Sequence, residues 1–173
     1  MEGYARAMRA VPTRDSVLPS SEGKPASRHR PHAALKRSVI ALAAVPLFDG
    51  FSKAHLRRLA GEADLVEFGP GRAIVEEAQA GEAMFVILAG KARVVRAGRK
   101  VGTLIPGDFF GELSALDGGP RTASVVPDTP MEVLRLFRHT LHRLVKQEPA
   151  LVMSMLEGLA RRLRQVQVGT PVA

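Results

Sequence analysis

Glu112 and Arg121 stand out because of where they sit. Both lie in the glycine-rich stretch Gly107–Ala123, which with Pro106 and Ser124 reads PGDFFGELSALDGGPRTAS. An arginine offers a planar fork of donors that can hold a phosphate at two points. A carboxylate cannot hold an anion, but it accepts hydrogen bonds from hydroxyls such as the vicinal or 2′ hydroxyls of a sugar. Gly111 opens a segment, Glu112–Leu116, able to form one helical turn whose first N–H groups have no partner inside the turn. Thr122 adds a hydroxyl and an amide beside the arginine. Phosphate together with a sugar hydroxyl is the recognition pattern of a nucleotide. A plainer alternative fits the same two residues: a partly buried ion pair that ties the loop down. The chemistry alone leaves the two readings level.

A loop of this kind has to be held between rigid elements. Upstream, Ala33–Ala44 is expected to be a helix with Leu35, Val39, Ile40 and Leu42 as its apolar face, stopped by Pro46. Ser52 should cap a second helix, Lys53–Ala63, with Leu56 and Leu59 inward. Leu47, Phe48 and Phe51 should close the end of the core between the two. The period then changes to strands at Leu65–Phe68, Ala73–Glu76, Met84–Leu88, Ala92–Arg96, Val101–Ile105, Ala123–Val126 and Glu132–Phe137, separated by Gly, Pro and Asp turns. Hairpin-length connections exclude a parallel sheet. The fold class is therefore mainly β with flanking α-helices, an antiparallel sandwich or jelly-roll barrel. Thr140–Lys146 and a last helix from near Pro149 to Gln167 follow. Leu156, Leu159, Leu163 and Val166, with Val152 one turn earlier, form an a/d-like seam on that last helix. Packing on the barrel and a homodimer interface explain it equally well.

Composition narrows the classes. With 46% hydrophobic and 24% charged residues the 173-residue chain reads as one globular domain, and no apolar run is long enough to span a bilayer. No signal-peptide pattern is present, and the absence of cysteine removes disulfides and thiolate metal sites, so a cytoplasmic address is the default. Of the net charge of +8, residues 1–37 carry +5, from eight Lys/Arg against three Asp/Glu. Residues 38–173 carry only +3, seventeen against fourteen, which argues against a nucleic-acid-binding face on the body. Residues 1–33, with Pro12, Pro19, Pro25 and Pro31, are expected to be a disordered basic tail, with a polybasic tether as the alternative. Residues 34–168 then form the domain and 169–173 a short tail.

Phe110-Gly111-Glu112-Leu113-Ser114, followed seven residues after Ser114 by Arg121-Thr122-Ala123, resembles the phosphate-binding cassette of cyclic nucleotide-binding domains. Such domains occur in the catabolite activator protein, in regulatory subunits of cyclic-AMP-dependent kinase and in cyclic-nucleotide-gated channels. The likeness extends over roughly 47–167, including the Gly69-Pro70-Gly71 turn, the run Gly81–Gly90 and the helices on both flanks. It implies a jelly-roll barrel with N-terminal helices and a C-terminal lid or dimer helix. The implied ligand is cyclic AMP, with cyclic GMP as the second choice, held by Gly111, Glu112, Leu113, Ser114, Arg121, Thr122 and Ala123. In that scheme Arg121 neutralises the cyclic phosphate and Glu112 binds the ribose 2′-hydroxyl. The amides of Ser114 and Thr122 complete the cradle, Gly111 permits close approach, and Thr122 can touch phosphate or base. One departure stands out: the position after Ser114, usually a larger aliphatic that relays binding to the helices, is Ala115. That bears on the strength of coupling rather than on binding.

Three function classes compete. The resemblance implies a stand-alone sensor, not an enzyme, signalling to a separate effector protein. A transcription regulator is the second, because Leu159–Arg164 resembles the dimer helix of the catabolite-activator group. Those proteins continue into a helix-turn-helix domain of about 60–80 further residues; few residues follow here, so no specific DNA binding is expected. The third, a cupin-type barrel enzyme, needs inward His and carboxylate ligands. None of His29, His32, His55, His139 and His142 falls in an expected strand, and no nucleophile–base pair, P-loop or zinc spacing is present.

Overall fold

The computed structural model describes residues 24–25, 32–149 and 151–167. It begins with a two-residue strand β1 (Lys24–Pro25), followed by helix α1 (His32–Ala43), a single 3₁₀ turn at Pro46–Phe48, and helix α2 (Lys53–Glu62). Strands β2 (Asp64–Phe68), β3 (Ala83–Ala89), β4 (Ala92–Arg96), β5 (Arg99–Leu104) and β6 (Phe109–Phe110) lead into the short helix α3 (Glu112–Asp117). Strands β7 (Ser124–Pro127) and β8 (Met131–Phe137) and helices α4 (Arg138–Gln147) and α5 (Leu151–Gln167) complete the chain. Apart from β1 and the start of α1, the expected basic tail of residues 1–33 lies outside the described residues, as does 169–173.

Two antiparallel sheets form, ordered β1-β2-β8-β3-β6 and β5-β4-β7, the jelly-roll arrangement expected from the strand spacing. Alternation along the strands separates two cores, because successive side chains point to opposite faces. Phe85, Ile87, Phe110 and Val133 point between the sheets with Val94 and Val125. Met84, Val86, Phe109, Leu134 and Leu136 point outward and are covered by Leu42, Phe48, Leu56, Leu59, Leu141 and Met155 from the helices. The Phe109-Phe110 pair thus serves both cores at once, which is why two adjacent aromatics precede the cassette.

Four expectations are corrected. Ala73–Glu76 is not a strand but a single bridge: Ile74 N–H donates to Val125 O at 2.8 Å and Val125 N–H to Val75 O at 3.0 Å. The left-handed Ala78 (φ 65°) turns the chain away soon after. The small strand β6 was not expected. On α1, Ile40 faces solvent at 62% exposure, while Ser38 is buried with its hydroxyl donating to Ala34 O at 2.9 Å. On α5 the buried line is Leu151, Met155 and Gly158, and Leu156 of the supposed seam is 53% exposed. The reason is steric: Gly158 sits directly on the Pro46–Leu47 backbone, a close approach only glycine allows. Arg161 Nη2 donates to Asp49 Oδ2 at 2.8 Å beside that contact. Ser52 caps α2 as expected, accepting from His55 N–H at 3.2 Å.

Candidate functional site

Three segments converge on the Arg121 guanidinium. The first is the turn 78–81, clipped to the start of the arginine segment by Ala78 N–H donating to Arg121 O and Arg121 N–H to Gln79 O, both at 2.8 Å. The second is the entry to α3, where Gly111 takes the left-handed conformation (φ 77°) as N-cap. Its carbonyl accepts the first helical bond, from Ala115 N–H at 3.2 Å, and a second from Arg121 Nη1 at 2.9 Å. The third is Phe85 of β3, whose ring centre lies 5.9 Å from the guanidinium carbon and which stacks on Phe110 at 5.0 Å.

Both glycines here leave room for the guanidinium, and Gly111 is required by its left-handed conformation as well. A Cβ on Gly81 would stand 2.5 Å from Arg121 Nη2 and closer still to Nε and Cζ. A Cβ on Gly111 would meet Ala83 O at 3.0 Å and come nearer than that to Nη1. The guanidinium is therefore wedged between two glycine faces, and Arg121 is only 6% exposed. Burial lowers its pKa, and the Glu112 carboxylate pulls it back up. A guanidinium stays charged nonetheless, so the site holds a poorly hydrated cation that a bound anion would relieve.

The remaining expected residues are placed as follows. Glu112 is 5% exposed and Ser114 2%, both at the start of α3. The N–H groups of Glu112, Leu113 and Ser114 precede the first intrahelical bond and have no acceptor within the helix. Leu113 is 46% exposed and Thr122 faces solvent, while Ala123 packs against the core between the sheets. Helix α3 ends at a second left-handed glycine, Gly118 (φ 77°), whose N–H donates to Ser114 O at 3.0 Å. Ala115 is fully buried in the helix-side core, and His142 Nε2 lies 3.2 Å from Leu116 O, so the cassette touches α4 directly. Sequence reasoning assigned no separate role to Gly81 or Phe85. Gly81 beside a turn was the only available signal, and its meaning depends on a contact forty residues away.

Residues 65–148 match the family model of the cyclic nucleotide-binding domain. Among similar curated proteins is a CRP-like cAMP-activated global transcriptional regulator of Mycobacterium tuberculosis, 31% identical over 129 residues, covering 72% of this chain and 58% of that one. A cAMP-dependent protein kinase regulatory subunit of Hypocrea atroviridis is 29% identical over 128 residues, covering 74% of this chain and 26% of the other. In structure, the Thermus thermophilus catabolite activator protein superposes with a TM-score of 0.63 at 32% identity, covering 71% and 60% of the two chains. The chain thus spans less than two thirds of the length of these relatives.

Proposed function

Over residues 65–148 the chain belongs to the cyclic nucleotide-binding domain family, and we propose that it binds a cyclic nucleoside monophosphate, cyclic AMP first, in the cassette around Arg121. The observation that carries this is the buried guanidinium wedged between Gly81 and Gly111 beside the N-terminal end of α3. A cyclic phosphate brings one negative charge and two equatorial oxygens, which suit an arginine fork and a set of backbone donors. Glu112 takes the ribose 2′-hydroxyl, and Gly111, Leu113, Ser114, Thr122 and Ala123 line the rest. The cyclic AMP preference is supported by the similarity to a cAMP-activated regulator and to a cAMP-dependent kinase regulatory subunit.

The domain is proposed to run from 34 to 168 and to work as a cytoplasmic, non-catalytic sensor module. Among the described residues no helix is long and apolar enough to cross a membrane. Binding orders the cassette, and Ala115 and Leu116 pass the change to the helices, where α5 meets an effector or a second copy of the chain. Calorimetric titration with cyclic AMP and cyclic GMP tests the reading; no heat from either at high micromolar protein removes it. A second reading, the ligand-binding part of a DNA-binding regulator, is favoured by the first relative's name. The low net charge of residues 38–173 speaks against a DNA face on this part. Specific, salt-resistant DNA binding in a gel-shift would decide for the second.

A further inference from the structure

We propose that the groove between α1 and α2 is a docking site for an acidic amphipathic helix of a partner protein. The groove encloses about 530 Å³. Its floor and wall are apolar: Leu35, Val39 and Leu56 belong to or pack on the helix-side core, and Ile40 and Ala43 stand open beside them. The α1 residues lie at positions i, i+4, i+5 and i+8, a stretch of about 12 Å at 1.5 Å per residue. That length matches the i to i+7 anchor spacing of a single docked helix. Ile40, at 62% exposure, is an apolar side chain that the fold of the described residues leaves uncovered.

The rim identifies the sign of the partner. Lys36, Lys53 and Arg57 line it, and among the described residues none of the three makes an ion pair or a hydrogen bond through its side chain. The neighbouring arginines behave differently. Arg37 pairs with Glu132, Arg58 with Glu62, Arg143 with Glu62 and Arg161 with Asp49. Three cations unpaired among the described residues, set around an open apolar recess, are complementary to an acidic partner. The chain's own N-terminal segment has the wrong sign: residues 1–31 hold six Lys/Arg against three Asp/Glu. A second copy carries the same net +8. A recessed floor also suits an inserted helix better than a flat lipid surface. The inference is independent of whether the cassette holds a nucleotide.

The test uses the full chain and a fluorescein-labelled helical peptide of about four turns, with Leu at i, i+3, i+4 and i+7 and Glu elsewhere. Saturable anisotropy change is expected, and Ile40→Asp should weaken it on the order of tenfold without altering thermal unfolding. The triple change Lys36→Glu, Lys53→Glu, Arg57→Glu should also weaken it about tenfold, as three exposed pairs permit, and should instead capture a Lys-flanked version of the peptide. No saturation at about 1 mM peptide overturns the proposal. So does equal binding of the Glu- and Lys-flanked peptides, or binding indifferent to these substitutions. Ile40-dependent binding to phosphatidylserine vesicles with no peptide binding would assign the groove to lipid. Dimerisation in sedimentation that Ile40→Asp abolishes would assign it to a second copy. Either result overturns the acidic-helix assignment.

Discussion

Gly81→Ala isolates the geometry of the cassette without changing any residue that carries charge. The added methyl group would fall 2.5 Å from Arg121 Nη2 and nearer to Nε and Cζ, so the guanidinium must leave its wedge. Gly81 is not among the glycines of positive φ, so alanine brings no backbone strain of its own. Moving the guanidinium breaks its bond to Gly111 O. Such a charged hydrogen bond is worth about 1.5–3 kcal/mol, but the displaced cation regains water, so the ligand-free domain should change by only about 1 kcal/mol. The phosphate loses far more, because both prongs of the fork are misplaced: about 3 kcal/mol, or roughly 150-fold in Kd. Calorimetry with cyclic AMP and thermal unfolding with and without ligand read the two effects separately. Binding within about threefold of the parent would refute the wedge as the anion site, since a tenfold change is only 1.4 kcal/mol.

Other substitutions test the scaffold. Gly61→Ala is the matched control: its Cβ meets nothing within 4 Å in the last turn of α2, so stability should rise slightly, by at most about 0.5 kcal/mol, with ligand affinity unchanged. Gly158→Ala should destabilise by about 1–3 kcal/mol in chemical denaturation, because the new methyl lies 2.8 Å from Leu47 Cα and nearer to Pro46 O, and backbone cannot step aside. Ser52→Ala removes the bond that His55 N–H donates to the cap and should cost about 1 kcal/mol by the same measurement.

Legibility followed the range of each signal. Ser52, Pro46 and the turn glycines act on neighbours a few residues away, and the α2 cap, the end of α1 and the hairpins appear where they were read. The strands β3, β4 and β8 were legible because short aliphatic and β-branched runs bounded by turn residues are a local pattern. Ala73–Glu76 failed because its short apolar run looks like a strand, yet only Val75 finds a ladder partner, at Val125. The exposure of Ile40 and Leu156 could not be read either. Each lies on a helix whose buried side is set by what it docks against, and for α5 that is a glycine contact with Pro46 and Leu47 a hundred residues earlier. At the site the charged pair and its loop were plain in the sequence. The wedge that immobilises Arg121 was not, since it joins Gly81, Phe85 and Gly111 from three separate segments.

The most direct measurement is calorimetric titration of the parent chain and Arg121→Ala with cyclic AMP, each with thermal unfolding as a folding control. The parent should bind one equivalent and gain about 2.7 kcal/mol of stability at ligand a hundredfold above Kd. Arg121→Ala should stay folded, because it removes a buried cation, and should lose at least about a hundredfold in affinity, the worth of two charged hydrogen bonds. A folded Arg121→Ala that binds cyclic AMP as tightly as the parent would contradict the account.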